Sequence, residues 1–181
     1  MRLTTLITAL TAIIMTSCSN QKSSAQSRIL VAYFSATGTT ETIAKRLANV
    51  TGGDISEIVP AEPYTAADLD WTNDQSRSSL EMRDLSSRPA IKSTVSNISQ
   101  YDTIYIGFPI WWYTAPTIIN TWIEAHDLKG KKLILFATSG GSSIDRSIRD
   151  LKNTYPTLNW AGGKLLNRAT ETSIRQWVNS L

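Results

Sequence analysis

Ile29-Leu30-Val31-Ala32-Tyr33-Phe34, followed directly by Ser35-Ala36-Thr37-Gly38-Thr39-Thr40, sets the architecture of this chain. The first half is continuously apolar, which suits a central parallel strand covered on both faces. The second half packs four hydroxyl side chains and one glycine into six positions. Residues 41–49 then place Ile43, Ala44, Leu47 and Ala48 at helical spacing. A strand therefore feeds a hydroxyl-rich turn that opens a helix. Backbone N–H groups and the positive helix end converge there, and an anion belongs at that point. Ser35, Thr37, Thr39 and Thr40 add neutral hydroxyl donors. The alternative reading of the same string is an ordinary polar strand-to-helix turn. A nucleoside triphosphate is a poor candidate, because the turn has no Gly-Lys-Ser/Thr triplet, and the G-x-G-x-x-G dinucleotide fingerprint is missing too.

The same alternation continues along the chain. Residues 54–59 form a weaker strand, interrupted by Ser56 and Glu57, that suits a sheet edge. Residues 103–108 and 132–137 read as two more central strands, and 159–166 as a fifth, broken by Gly162-Gly163. Helices are expected over 115–125, with Pro116 in the first turn, over 142–155 with Ile144, Ile148 and Leu151 inward, and over 170–181. Strands alternating with helices predict an α/β, doubly wound, five-stranded parallel sheet. Residues 60–100 are an insertion after the second strand. Within it Thr72-Asn73-Asp74-Gln75 resembles a capping box that opens a helix to about Arg83. So long a connection is either a surface elaboration or a lid over a ligand, with Trp71 or Arg77 reaching in.

In such a sheet, ligands bind at the carboxyl ends of the strands where the strand order reverses. Three turns meet that edge: the one at 35–40, then Pro109-Ile110-Trp111-Trp112-Tyr113-Thr114-Ala115, then Thr138-Ser139-Gly140-Gly141-Ser142-Ser143. Their contents are complementary. The first offers anion donors. The second offers three adjacent aromatics for stacking a flat π-system. The third offers glycines whose backbone can approach the rim of a ring. A phosphate on one side and a planar heterocycle on the other describe FMN. Packing of Trp111, Trp112 and Tyr113 against the insertion is the competing explanation for the aromatics.

These motifs carry a family resemblance over residues 28–181. Ser35-Ala36-Thr37-Gly38-Thr39-Thr40 resembles the phosphate loop of the flavodoxin-like superfamily. Phe108 to Pro116 and Thr138 to Ser142 resemble its two flavin loops, especially as found in FMN reductases and flavin-dependent quinone reductases. The resemblance implies strand order 2-1-3-4-5 and FMN as cofactor. It implies that Ser35, Thr37, Gly38, Thr39 and Thr40 hold the phosphate. It further implies that Pro109, Ile110, Trp111, Trp112 and Tyr113, with Thr138, Ser139, Gly140 and Gly141, border the isoalloxazine. The expected role is electron transfer to a redox partner protein. An NAD(P)H-dependent reductase of a quinone or similar small-molecule acceptor is the alternative, and a flavin-free binding module on the same fold is a third. Pairing of two copies as a homodimer stays open. Electron-carrier flavodoxins are typically acidic, whereas this chain has 18 basic and 15 acidic residues, a net charge of +3.

That balance, without a dense Lys/Arg stripe, excludes nucleic acid as a first partner. One histidine, His126, and one cysteine, Cys18, leave no basis for a metal cluster, a disulfide framework or a nucleophile–histidine pair. His126 follows a core helix near a turn, where solvent exposure is expected. Residues 1–17 read as a lipoprotein signal peptide: Arg2, an apolar stretch over 3–15, then small residues before Cys18. The expectation is lipidation at Cys18, a polar tether over 18–27 and a folded domain over 28–181. The protein would then be exported and lipid-anchored to the bacterial cell envelope, with the membrane as a partner through that anchor.

Overall fold

The computed structural model describes residues 28–181. The expected signal peptide, Cys18 and the tether lie outside the described residues. Five strands form one sheet: β1 (Ile29–Tyr33), β2 (Asp54–Glu57), β3 (Thr103–Pro109), β4 (Lys132–Thr138) and β5 (Asn159–Leu165). All are parallel, in the order β2-β1-β3-β4-β5. The helices are α1 (Thr39–Thr51), α2 (Arg77–Arg83), α3 (Ile118–Glu124), α4 (Asp145–Thr154) and α5 (Glu171–Val178).

The period-two alternation of a strand explains the two cores. Leu30, Ala32 and Phe34 of the β1 segment join Ile104, Ile106 and Phe108 of β3 and Leu133 and Leu135 of β4 on one face. That face packs against Ile118, Ile119 and Trp122 of α3 and Leu151 of α4. Val31, Tyr33, Tyr105, Ile134 and Phe136 point the other way, onto Ile43 and Leu47 of α1 and Ile174 and Trp177 of α5. Continuous apolar runs are thus needed in the three central strands. Edge strand β2, paired only to β1, is exposed at three of its four residues.

Gly107 has a steric duty in this arrangement. It pairs with Phe136 across β3 and β4. A Cβ on Gly107 would stand 2.0 Å from the Phe136 ring. Gly162-Gly163 does not break β5 as the sequence suggested. The strand runs through, and the pairing with β4 shifts register between Leu133 and Leu135. Gly162 takes φ 104°, and a Cβ on Gly163 would lie 2.7 Å from the Leu135 carbonyl oxygen. Glycines here build a bulge instead of a break.

Several expected boundaries move. The helix in the insertion starts at Arg77, four positions later than a cap at Thr72 would place it. Ser76 is the cap, its Oγ accepting from the Ser79 N–H. Thr72 instead donates from both its N–H and its hydroxyl to Asp70 Oδ1 (3.0 and 2.6 Å). A cluster of Thr, Asn, Asp and Ser offers many local caps, and the sequence does not rank them. Pro116 precedes α3 instead of occupying its first turn. Its carbonyl accepts from Ile119 (2.9 Å), and that of Thr117 from Asn120 (3.0 Å), so a tighter turn leads into the helix.

His126 is half-buried, not solvent-exposed. Its Nε2 accepts the Val95 N–H at 2.8 Å, and its Nδ1 lies 2.6 Å from the Trp122 carbonyl. Val95 can only donate, so Nε2 carries no proton and Nδ1–H donates to Trp122. The ring also packs on Trp122, with centroids 4.4 Å apart. The imidazole staples the end of the insertion to the end of α3, a long-range contact that local sequence cannot announce.

Candidate functional site

The carboxyl ends of β1, β3 and β4 deliver three crossings to one edge. The first runs from Phe34 into α1. Gly38 takes φ 82° as the residue before the helix, a left-handed conformation that favours glycine. Among the described residues, no backbone N–H from Ser35 to Glu41 has a hydrogen-bond partner. The Ser35 Oγ is buried and also unpartnered. Thr37 and Thr39 are exposed, with hydroxyls 3.4 Å apart. Thr40 is 1% exposed, and its hydroxyl lies 2.8 Å from that of Thr138. A buried orphan hydroxyl beside a fan of free amides at a helix start is a donor set for an anionic oxygen.

The third crossing is a tight reversal. Trp111 and Thr114 exchange backbone hydrogen bonds of 3.0 and 2.9 Å. Trp112 and Tyr113 take φ 44° and 72°. Two successive positive φ values define a type I′ turn, which favours Gly or Asn. Bulky aromatics held there carry backbone strain of about 1–3 kcal/mol each, a cost typical of functional positions. The strain turns Trp112 and Tyr113 outward, 39% and 64% exposed. Trp111 behaves differently. It packs edge-on to Phe34 (5.5 Å) and Tyr64 (5.4 Å), and Phe34 and Tyr64 are 5.7 Å apart. Packing against the insertion therefore accounts for Trp111 and leaves Trp112 and Tyr113 unexplained by it.

The fourth crossing is pinned by a residue that the sequence reading missed. Asn167, just past β5, accepts the Ser139 N–H at its Oδ1 (2.8 Å) and donates from Nδ2 to the Ser139 carbonyl (2.7 Å). The Ser139 Oγ accepts from Gly141 and Ser142 (3.1 and 2.7 Å). Among the residues expected to border the ring, the amides of Ser139 and Gly141 are thus committed internally. That of Gly140 has no partner among the described residues. The turn after β5 lies at the same sheet edge, so its Asn-Arg pair was the available signal for Asn167.

A cavity of about 530 Å³ lies where these crossings meet. Ala36 and Thr37 line it from the first, Pro109 to Tyr113 from the third and Ser142 from the fourth. Leu69, Trp71 and Ser78 line it from the insertion. Trp71 reaches the cavity, whereas Arg77 does not. The Arg77 guanidinium sits 4.0 Å over the Tyr64 ring, pairs with Glu81 at 2.7 Å and donates to the Glu62 carbonyl. Burial first, then the hydrogen bond to Glu81, pushes the Tyr64 phenol well above its ordinary range. Arg77, Tyr64 and Glu81 are therefore a structural unit that holds α2 in place. No carboxylate lines the cavity among the described residues. A second cavity of about 480 Å³ adjoins it at Tyr113 and Ser142 and is lined further by Ser143, Asp145, Arg146 and Arg149; both guanidinium groups pair with Asp150, at 3.4 and 3.6 Å.

A five-stranded 2-1-3-4-5 sheet with an anion cradle after β1 and a ring-sized cleft at its switch point defines a flavodoxin-like protein. The chain belongs to the flavodoxin family, whose model matches residues 28–181. It is similar to a candidate flavoprotein from Bacteroides eggerthii, at 60% identity over 85% of this chain and 97% of that one, with a TM-score of 0.84. A candidate flavoprotein from Bacteroides uniformis is 54% identical over 84% of this chain and 98% of that one, with a TM-score of 0.83. A flavoprotein from Lactobacillus acidophilus, solved in complex with FMN, shares the fold at 19% identity, covering 84% of this chain and 99% of that one (TM-score 0.66). No curated protein matches the chain.

Proposed function

We propose that this protein binds FMN and transfers electrons through it. The observation that carries this reading is the joint placement of the first crossing and the cleft. Free amides from Ser35 to Glu41 and the orphan Ser35 hydroxyl stand at the start of α1. Thr37 borders both that cradle and the aromatic-lined cavity. One end suits a phosphate and the other a flat ring, in the arrangement FMN requires. The donor set is neutral and the helix is thirteen residues long, so backbone amides and the helix end supply the attraction.

When bound, FMN supplies the redox chemistry, accepting and releasing one or two electrons. The chain's part is to hold, shield and bias it. Trp112 and Tyr113 present aromatic surface to the cleft. The Gly140 amide offers a donor to negative charge on the ring. With no carboxylate lining the cavity among the described residues, the reduction potential of bound FMN is expected to be less negative than in an acidic flavodoxin.

The insertion favours a second reading, an NAD(P)H-dependent FMN oxidoreductase acting on a quinone-class acceptor. Leu69 and Trp71 add an apolar wall to the cleft, which suits a flat acceptor stacked beside the flavin. Export and anchoring through Cys18 remain part of the proposal and would favour a redox partner in the envelope over a cytoplasmic nucleotide. Steady-state oxidation of NADH or NADPH by the FMN-loaded protein with 1,4-naphthoquinone separates the two readings. Turnover supports the reductase. Its lack, with rapid electron exchange with a protein partner, supports the carrier.

A further inference from the structure

Residues 60–100 do more than cover the sheet edge, because they bring to the border of the cavity a serine whose hydroxyl no described residue satisfies. Ser78, on α2, is 1% exposed, borders the cavity and has an Oγ with no hydrogen-bond partner. Its neighbours differ. Ser76 and Ser79 bond to each other through their hydroxyls at 2.9 Å, and Ser76 Oγ also accepts the Ser79 N–H. Ser78 is also held in position. Its N–H donates to the Asp68 carbonyl at 3.0 Å, which ties α2 to the loop carrying Leu69 and Trp71. The Arg77–Glu81 ion pair and the Tyr64 ring brace the same helix. A rigid support beneath an unsatisfied buried hydroxyl is the arrangement expected of a binding group.

We propose that the Ser78 hydroxyl donates a hydrogen bond to a carbonyl oxygen on the rim of a planar ring held in this cavity. The inference rests on the FMN reading. Two rings can supply that oxygen, the flavin itself and a quinone-class acceptor stacked beneath Trp71. The insertion is then a recognition element, and Ser78 sets affinity for whichever ring it meets.

Ser147 provides the control. It too is a helix serine, fully buried, with an unpartnered hydroxyl, but it borders neither of the two cavities at the sheet edge. Removing an unpartnered buried hydroxyl should leave the ligand-free protein at least as stable. In the full-length chain, Ser78→Ala and Ser147→Ala should both keep or raise the unliganded Tm. Only Ser78→Ala should weaken a ligand, by about three- to tenfold. A rise in the FMN Kd, read by fluorescence quenching, assigns the oxygen to the flavin. An unchanged FMN Kd assigns it to the acceptor, if the 1,4-naphthoquinone concentration for half-maximal reoxidation of the reduced protein rises in stopped flow. The proposal is overturned if both values stay within twofold, or if Ser78→Ala lowers the unliganded Tm. Wild-type protein that takes no FMN overturns the FMN reading and this proposal together; wild-type binding with an unmoved variant overturns this proposal alone.

Discussion

Thr40 Oγ1 lies 2.8 Å from Thr138 Oγ1, joining residues 98 positions apart in the chain. Thr40 belongs to the first turn of α1 and Thr138 ends β4, with β3 between β1 and β4. The bond ties the anion cradle to the glycine-bearing crossing across the middle of the sheet edge. Both side chains are buried, at 1% and 4% exposure.

Thr40→Val strands the Thr138 hydroxyl in a buried site, which costs about 1–3 kcal/mol. The Thr40→Val, Thr138→Val pair removes both hydroxyls and should recover most of that loss. Urea unfolding of the single and double variants measures the coupling directly. Additive losses would show that the two hydroxyls do not depend on each other.

Trp112 and Tyr113 are held at φ 44° and 72°. Glycine tolerates this conformation without a Cβ penalty. Trp112→Gly should therefore leave the unliganded protein as stable or raise its stability by about 1 kcal/mol. It should weaken FMN binding about tenfold through the lost aromatic surface. Opposite signs in thermal unfolding and in FMN titration mark a residue kept for binding.

Much of the fold was legible because its strands are short apolar runs with hydroxyl- or glycine-rich ends. Residues 29–34, 103–108 and 132–137 need both faces covered, and each lies within one residue of the observed strand at either end. The three crossings were legible for the same reason, since their polar and aromatic content has no role inside a sheet. What stayed hidden depends on distance in the chain. Asn167 acts on Ser139, His126 on Val95 and Arg77 on Tyr64, and no local pattern announces such pairs. The insertion was opaque because Thr72, Asp74 and Ser76 compete as caps, and packing decides among them. Ser78 gave no signal at all, because only its burial beside the cavity distinguishes it from Ser76 and Ser79.

Gly107→Ala should be among the most damaging small substitutions in the chain. The added methyl would meet the Phe136 ring at 2.0 Å, and the two residues are paired across adjacent central strands. Overpacking of a rigid core costs about 1–3 kcal/mol. Phe136→Leu in the Gly107→Ala background should return part of the loss, whereas Phe136→Leu alone should destabilise. Denaturant midpoints with unchanged m-values provide the comparison.

His126 predicts a pH dependence with a definite sign. Desolvation lowers its pKa below the ordinary 6.5, partly offset by the bond to Trp122. Protonation would put a hydrogen on Nε2 and eject the Val95 N–H. The unfolded chain therefore binds the proton more readily than the folded one. The His126 contribution is fully present above pH 6.5 and declines as pH falls through the lower folded value. Unfolding free energies measured from pH 8 to 4 should show this decline, and His126→Gln should flatten that part of the profile.

The central claim is that the first, third and fourth crossings grip one FMN. Titrating the ligand-free protein with FMN and following quenching of flavin fluorescence tests it most directly. The account predicts one FMN per chain. Ser35→Ala and Thr37→Ala should each weaken it about tenfold or more, since hydrogen bonds to a charged oxygen contribute about 1.5–3 kcal/mol, and Trp112→Ala should weaken it about tenfold through the lost aromatic surface. Wild-type protein that leaves FMN fluorescence unquenched, or all three variants binding as tightly as wild type, would contradict it.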